Sequence, residues 1–411
     1  MGYTKDAVRG LSWLGGYRVI YRGISFGRTA ITARLLTPSQ FGLFGIVALV
    51  FALLETITET SINIFLIQEK DGVDKFINTA WVVSIIRGII IAVFIVLLAS
   101  PVSAFFNSPE VYSLMLLMAI APLIRGFINP SVAKFIKELK YNREFYYRSS
   151  IFLVESAATI IFASYYQSAT GLVLGLILGA TFEVAISFLF VRPTPIFSFE
   201  LDLFKNVFQR GKWLTATGIF NYLYHNLDNI VIGKFLGSSP LGLYQMAYKI
   251  SYLPISEISD VFGQVTFPVF VKMSEDVERL RKAYFKSILL ISALTIPVGV
   301  IFFLFPQLLI RIVLGDQWIA AAPALQVLAA FGVIRAISIS AVAPFYAVKR
   351  QEVITLVTLV SVIVLAITII PLVSILGIVG AAYSALLGAI VPIPIIIFYF
   401  IKIFSTKPKI Q

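Results

Sequence analysis

The sequence contains no cysteine and one histidine, His225, among its 411 residues. Without cysteine there can be no disulfide bonds, thiolate metal sites, iron–sulfur clusters or cysteine nucleophiles. One imidazole cannot build a multi-histidine metal centre or supply the paired bases of most hydrolases. The phosphate-binding pattern GxxxxGK is absent, since Gly211-Lys212 and Gly233-Lys234 lack the upstream glycine. We therefore predict no catalytic residues, no metal site, no bound cofactor and no ATP hydrolysis.

Charged residues are also scarce, at 13% of the chain, while 59% of the residues are hydrophobic. Soluble domains contain about 25% charged residues. Apolar stretches of about 20 residues, the length that crosses the hydrocarbon layer, recur along the whole chain. The sequence therefore predicts an all-α polytopic membrane protein.

Hydropathy, flanking charges and turn residues predict about twelve membrane-spanning helices. They lie at residues 11–33, 41–67, 78–99, 111–133, 149–167, 171–191, 211–236, 241–271, 284–305, 319–345, 353–374 and 377–401.

The net charge of +12 reflects topology, because most of the 33 lysines and arginines lie at the termini and in the loops after even-numbered spans. The opposite loops contain only Arg34, Lys234 and Arg311. The positive-inside rule then predicts a multi-pass protein of the cytoplasmic (inner or plasma) membrane with both termini cytoplasmic. The basic loops predict contacts with membrane lipids, and no nucleic-acid partner. The connections at residues 134–148, 192–212 and 274–286 are amphipathic and are expected on the membrane surface.

The two halves of the chain resemble each other. A shift of 200 residues aligns Trp13 with Trp213 and Gly42-Leu43-Phe44 with Gly242-Leu243-Tyr244. Six spans per half make both halves start on the same side, as in parallel-repeat transporters. We predict an N-terminal lobe at residues 1–200 (spans 1–6) and a C-terminal lobe at residues 201–411 (spans 7–12), facing a central cavity.

Fourteen charged residues lie inside the predicted spans. Each charge near the centre of a membrane helix costs about 2.5–3.5 kcal/mol on insertion scales, so most must face protein or water. The basic residues are Arg18, Arg22, Arg28, Arg87, Arg125, Lys249 and Arg335. The acidic residues are Glu55, Glu59, Glu155, Glu183, Asp228, Glu257 and Asp260.

Several of these residues have structural interpretations. Arg18, Arg28 and Lys249 lie close enough to span ends to snorkel to the interface. The deeper arginines can form buried ion pairs with glutamates of the spans. His225 can be a packing residue, and the glycines of span 6 predict a close-packing face. Those glycines are Gly171, Gly175 and Gly179.

Several motifs, which follow one another along the chain in the order typical of the family, resemble the polysaccharide transporter (Wzx-like flippase) branch of the multidrug/oligosaccharidyl-lipid/polysaccharide exporter superfamily. Among them are Arg9-Gly-Leu-Ser-Trp13, Ala33-Arg-Leu-Leu-Thr-Pro-Ser-Gln-Phe-Gly-Leu43, Asn78-Thr-Ala-Trp81 and Leu314-Gly-Asp-Gln-Trp318. The resemblance implies a V-shaped alternating-access transporter with two six-helix lobes. It also implies a cargo, polyprenyl-diphosphate-linked oligosaccharide such as an O-antigen repeat unit, moved from the cytoplasmic to the outer leaflet. A polysaccharide polymerase and glycosyltransferases are further candidate partners.

An anionic diphosphate headgroup requires cationic partners inside the membrane, and arginine offers bidentate donors to phosphate. The predicted substrate-binding residues are Arg18, Arg22, Arg87, Arg125, Lys249 and Arg335. Without a nucleotide motif, the cycle is expected to run on cargo consumption outside or on an H⁺ or Na⁺ gradient. The candidate ion-coupling residues are Glu155, His225, Asp228, Glu257 and Asp260.

Several other functions are alternatives to a flippase for this sequence. Within the same superfamily, the alternatives are an antiporter of drugs or small organic cations and a peptidoglycan-precursor flippase. A membrane glycosyltransferase, polymerase or ligase would need catalytic acids in a sizeable outer loop, and these are lacking. A major-facilitator transporter shares the six-plus-six plan, but the loop Gln68 to Phe76 lacks that family's glycine and basic signature.

Overall fold

The computed structural model describes residues 2–59 and 74–405, and in these ranges every regular element is a helix. The α-helices are α1 (Gly2–Leu35), α2 (Pro38–Ile57), α3 (Asp74–Phe105), α4 (Glu110–Met118), α5 (Ile120–Arg125), α6 (Ala133–Lys137), α7 (Tyr141–Tyr166), α8 (Ala169–Phe190), α9 (Leu201–Leu236), α10 (Ser238–Lys272), α11 (Val277–Leu304), α12 (Pro306–Val313), α13 (Ala322–Ala347), α14 (Gln351–Ile390) and α15 (Ile393–Ser405). Short 3₁₀ helices cover Pro130–Val132 and Asp316–Ala321.

The prediction of an all-α polytopic membrane protein is confirmed. Among the described residues, seven helices are long and apolar enough to cross a membrane, or eight if one bent pair is a single span. Where the structure describes them, the predicted spans fall on helices, with two differences. The second span was predicted to residue 67, but α2 ends at Ile57 and residues 60–67 lie outside the described ranges, and the fourth span is broken. Three long helices, α1, α9 and α10, are not among the seven, and they contain predicted spans 1, 7 and 8.

Hydrogen-bonding residues fix where helices begin. Thr37 precedes α2, and its side chain accepts a hydrogen bond from the backbone N–H of Gln40, while Pro38 occupies the first turn. Asp276 does the same for α11 by accepting from the backbone N–H of Arg279. Both satisfy backbone donors that a helix start leaves unpaired.

The chain divides into two compact units, Met1–Asn226 and Leu227–Gln411. The lobe boundary between residues 200 and 201 stays a prediction. Within the first unit, α7 packs along α8 and also against α1. Within the second unit, α13 packs against α10, α11 and α14.

The predicted close-packing face of span 6 is confirmed. A Cβ atom on Gly171 would lie 2.7 Å from the backbone nitrogen of Ala163, and one on Gly175 would lie 2.6 Å from the Cα of Thr159. Real Cβ atoms essentially never approach that closely. Small residues therefore allow α7 and α8 to touch through their backbones, as is typical of membrane helices.

The fourth predicted span is broken. The segment Glu110–Arg125 and the segment Pro130–Lys137 are bent by 66° relative to each other. Gly126 follows α5 and faces Gly88 of α3, where a Cβ on Gly88 would lie 2.5 Å from the carbonyl oxygen of Pro122. The bend thus places irregular backbone directly against α3. At membrane depth such backbone is tolerated where it is buried in protein or lines a water-filled cavity.

Three connections of the second unit contain glycines with positive φ. Gly237 (φ 91°) precedes α10, Gly315 (φ 104°) precedes the second 3₁₀ helix, and Gly377 (φ 59°, ψ −137°) interrupts α14. The non-helical residue at Gly377 divides α14 at the junction of predicted spans 11 and 12. These backbone conformations are disfavoured for residues with a Cβ.

Candidate functional site

A polar cavity of about 460 Å³ lies within the first unit. Its walls come from α2, α3, the broken segment after α5, and the facing sides of α7 and α8. The charged residues that line it are Glu55, Arg87, Arg125, Glu144, Arg148 and Glu183. Two predicted substrate-binding residues, Arg87 and Arg125, are therefore brought together.

Arg87 binds the end of α2. Its Nη2 donates to the carbonyl oxygen of Glu55 at 2.9 Å, and its Nε donates to the hydroxyl of Thr58 at 3.2 Å. The last carbonyl groups of a helix lack intrahelical partners and carry the negative end of the helix dipole. Arg87 thus stabilises the α2 terminus, and its interaction with Glu55 is through the backbone.

Arg125 ends α5, and its Nη1 lies 3.9 Å from Oε1 of Glu55. Its guanidinium carbon is 5.9 Å from the centre of the Phe51 ring. The Nε of Arg125 is buried and has no hydrogen-bond partner within the described part of the chain. A long ion pair with an unused donor leaves this arginine able to bind a further acceptor in the cavity.

The sequence did not predict that the start of α7 would reach this cavity. Glu144 is only 8% exposed, and Nε of Arg148 donates to its Oε1 at 2.8 Å. The expectation that residues 134–148 lie on the membrane surface stays a prediction, and within this stretch Glu144 lines the cavity. The signal in the sequence is the Glu-Arg spacing of four residues, which places both side chains on one helix face.

In the second unit, Asp228 of α9 is buried, and both of its carboxylate oxygens accept hydrogen bonds. Its Oδ2 accepts a hydrogen bond from the hydroxyl of Tyr244 at 2.7 Å, and its Oδ1 accepts from the backbone N–H of Asn229 at 2.8 Å. Tyr244 has no exposed surface. These hydrogen bonds offset part of the free-energy cost of burying the charged carboxylate of Asp228.

Aromatic rings support Arg335 in the same unit. Its guanidinium carbon lies 5.5 Å from the ring centres of both Tyr252 and Phe331. Tyr252 in turn stacks near Tyr248, with 4.9 Å between ring centres. Cation–π contacts with two aromatic rings hold this guanidinium group in place.

The other predicted residues are spread over α1, α7, α9 and α10. In α1, Arg18 and Arg22 lie on the exposed surface. In α7, Glu155 forms an ion pair with Arg28 of α1 at 2.8 Å. His225 of α9 is exposed, whereas Asp228 one turn further is buried. On α10, Lys249 and Glu257 are partly buried and Asp260 is exposed.

The described residues contain no cluster of three or more histidines or acids able to hold a metal ion. The arrangement instead offers arginine donors, carboxylates and helix ends within membrane-length helices. Such groups bind polar or charged molecules inside a membrane protein.

The fold and its charges define a polytopic, all-α membrane protein with a polar cavity in its first unit. The sequence profile of the family described as "Polysaccharide biosynthesis protein" matches residues 31–323. The chain belongs to this family, so the family resemblance seen in the motifs is confirmed.

Individual relatives agree with this placement. The chain is 25% identical to the lipopolysaccharide biosynthesis protein WzxC of Escherichia coli K12 over 339 residues, 82% of this chain and 69% of WzxC. It is 24% identical to the teichuronic acid biosynthesis protein TuaB of Bacillus subtilis 168 over 345 residues, 81% of this chain and 69% of TuaB. The fold is similar to that of a solved structure of the lipid II flippase MurJ in an inward closed conformation, with a TM-score of 0.73 at 15% identity, covering 96% of this chain and 87% of MurJ.

Proposed function

We propose that the chain is a flippase of polyprenyl-diphosphate-linked oligosaccharide, moving it from the cytoplasmic to the outer leaflet of the cytoplasmic membrane by alternating access. The observation that carries the proposal is the family match over residues 31–323 in a chain built of membrane-length helices. Relatives named for lipopolysaccharide and teichuronic acid biosynthesis supply the substrate class, a surface polysaccharide precursor.

The arginines provide the chemistry that this cargo needs. A diphosphate carries negative charge into a low-dielectric layer, and bidentate arginine contacts offset the loss of its hydration. Arg22, Arg87, Arg125 and Arg335 are the proposed headgroup contacts, with Arg18 and Lys249 at the edges. Arg125 has an unused buried donor, which supports its assignment. The two lobes facing a central cavity, with both termini cytoplasmic, are part of this proposal.

The chain acts as a transporter rather than an enzyme in this proposal. Movement would be driven by cargo consumption outside or by an H⁺ or Na⁺ gradient, with Glu155, His225, Asp228, Glu257 and Asp260 as candidate carriers. A polymerase and glycosyltransferases are proposed neighbours, because they would supply and consume the lipid-linked glycan.

Leaflet translocation in proteoliposomes tests the proposal. A labelled polyprenyl-diphosphate oligosaccharide is reconstituted with the native protein, Arg22→Ala, Arg125→Ala or Arg125→Lys. We expect translocation by the native protein, its loss in both alanine variants and partial recovery in Arg125→Lys, since lysine keeps the charge without the fork geometry. Arg279→Ala is the matched control, because Arg279 is highly exposed at the start of α11.

The same experiment separates the alternatives. Translocation of lipid II in preference to other glycans would indicate a peptidoglycan-precursor flippase. Efflux of organic cations without movement of any lipid-linked glycan would overturn the proposal in favour of a drug antiporter. Unchanged translocation in folded Arg22→Ala and Arg125→Ala proteins would remove these arginines from the site.

A further inference from the structure

The polar cavity of the first unit contains three acidic and three basic side chains, and five of these six have a partner. Glu144 pairs with Arg148 at 2.8 Å, and Glu55 lies 3.9 Å from Arg125. Arg87 is bound to the end of α2 through neutral oxygen atoms. Glu183 of α8 is the sixth. Within the described ranges, its carboxylate makes no hydrogen bond and no ion pair within 4 Å.

The surroundings of Glu183 can be named element by element. From α7, Glu144, Tyr147, Arg148 and Glu155 contribute titratable or charged groups. From α5, Arg125 acts on Glu183, and from α2, Glu55 lines the same cavity. The lining contains no charged residue of α4. Glu155 is already engaged with Arg28.

Several buried polar atoms around the cavity indicate that it holds water. Nε of Arg125, Oε2 of Glu144 and the hydroxyl of Tyr147 are buried without a hydrogen-bond partner in the described part of the chain. Buried polar groups in proteins nearly always have a partner, either protein or ordered water. One water molecule needs about 10–15 Å³ of cavity volume. The cavity, at about 460 Å³, therefore has room for a hydrogen-bonded group of water molecules.

The broken segment after α5 forms part of the cavity wall inside the first unit. The 66° bend leaves irregular backbone at the cavity wall, where Ile128, Pro130 and Val132 contribute to the lining. In transporters, interrupted helices are typical of coupling-ion sites. Acidic residues inside membrane-spanning segments are rare and often mark ion pathways and proton relays, so an acidic residue that faces such a cavity is a candidate functional group.

We propose that Glu183 is a proton-binding site, which takes a proton from cavity water and returns it to cavity water during the transport cycle. Hydronium protonates the carboxylate, leaving a neutral carboxyl group and water, and the reverse step restores both. No other reactant is needed. The inference rests on the proposed transport function and adds to it the coupling ion, H⁺, and a carrier in the first unit.

A proton fits this cavity better than Na⁺. A metal cation needs several oxygen ligands at once, whereas two of the three carboxylates of this cavity, Glu55 and Glu144, are already paired with arginines. A proton needs one carboxylate and a connected water path. Tyr147 lines the same cavity, and its buried hydroxyl, which has no hydrogen-bond partner in the described ranges, can take part in that path as donor and acceptor.

The test compares the native protein with Glu183→Gln and Glu183→Asp, and Glu110→Gln is the control because Glu110 is exposed at the start of α4. Infrared difference spectra between acidic and alkaline buffer report carboxyl protonation in the purified protein. The 21 acidic residues together give the carboxyl signal of the native protein. We expect one component of this signal to be lost in Glu183→Gln and displaced in Glu183→Asp, and the same component to remain in Glu110→Gln.

Proteoliposomes with and without an imposed pH gradient provide the second readout. We expect the gradient to accelerate translocation by the native protein and Glu110→Gln, and to have no effect on Glu183→Gln. A spectrum of Glu183→Gln identical to that of the native protein would overturn the proton site, as would an equal response to the gradient. If the native protein moves no lipid-linked glycan, the flippase proposal fails, while the infrared result still decides whether Glu183 binds a proton.

Discussion

Nη1 of Arg28 donates a hydrogen bond to Oε1 of Glu155 at 2.8 Å, joining α1 to α7 across 127 residues of sequence. The Phe152 ring supports the guanidinium group, whose carbon lies 5.1 Å from the ring centre. The side chains are 21% and 13% exposed. Arg28 is therefore more than an interfacial anchor, and Glu155 can act as an ion carrier only if this pair opens.

The Arg28–Glu155 pair should show strong coupling in a double-mutant cycle. Arg28→Ala leaves a largely buried carboxylate without its partner, so we expect a loss of about 1.5–3 kcal/mol of stability. Glu155→Gln should cost a similar amount. The double variant should cost clearly less than the sum, because no unpaired charge remains. Thermal unfolding in detergent measures all four proteins, and additive effects would show that the pair contributes no interaction energy.

Tyr244 should be more important for stability than an exposed tyrosine of the same unit. Tyr244→Phe removes the donor to Asp228 and leaves a buried carboxylate oxygen without that hydrogen bond, at a cost of about 1–3 kcal/mol. Tyr383→Phe is the matched control, since Tyr383 is exposed. Equal unfolding temperatures for the two variants would mean that the Asp228 contact contributes little.

Asp228→Asn separates a structural role from ion coupling. Asparagine can still accept a hydrogen bond from Tyr244, but it cannot bind or release a proton near neutral pH. We therefore expect Asp228→Asn to fold, and a loss of its response to an imposed H⁺ or Na⁺ gradient would assign ion coupling to Asp228. A gradient response equal to that of the native protein would limit Asp228 to packing.

Gly175 should tolerate no side chain. In Gly175→Ala the new Cβ would lie 2.6 Å from the Cα of Thr159, so α7 and α8 must separate, at a cost of about 1–3 kcal/mol. Gly263→Ala is the control, because no atom lies within 4 Å of the corresponding Cβ. Thermal unfolding should give a lower temperature for Gly175→Ala than for Gly263→Ala, and the reverse order would contradict the close packing of these helices.

Arg335 should be replaceable only in part by lysine. Arg335→Lys keeps a positive charge but loses the planar group between Tyr252 and Phe331, so we expect reduced translocation of the diphosphate-linked cargo. Arg335→Gln should abolish translocation, and Arg279→Gln should leave it unchanged. Full activity in a folded Arg335→Gln protein would place the headgroup elsewhere.

Helices were predictable from the sequence because membrane spans carry their signal locally, in about 20 consecutive residues. The break in the fourth span was not, although Pro122, Gly126 and Pro130 are visible in the sequence. Its position depends on the approach of Gly88 from another helix, which is a tertiary contact. The predicted single span at residues 111–133 therefore corresponds to two α-helices, a turn and a short 3₁₀ helix.

The charges of the candidate site were predictable one by one, but their pairing was not. Nothing local connects Arg28 to Glu155, or Arg125 to Glu55, because each pair is distant in sequence. The place of Glu144 in the cavity wall was not predicted, because Glu144 lies in a charged stretch with the composition of a surface connection. The substrate-binding and ion-coupling assignments remain predictions.

The three glycines at positive φ, Gly237, Gly315 and Gly377, restrict how this gene can vary. Every single-base change of a glycine codon that yields another amino acid introduces a Cβ atom. The backbone at these positions, with ψ near −173°, 171° and −137°, lies in regions that essentially only glycine occupies. Missense alleles at these codons should therefore be depleted in any library selected for surface polysaccharide export, even though none of the three residues carries a charge or contacts cargo in the proposed cycle.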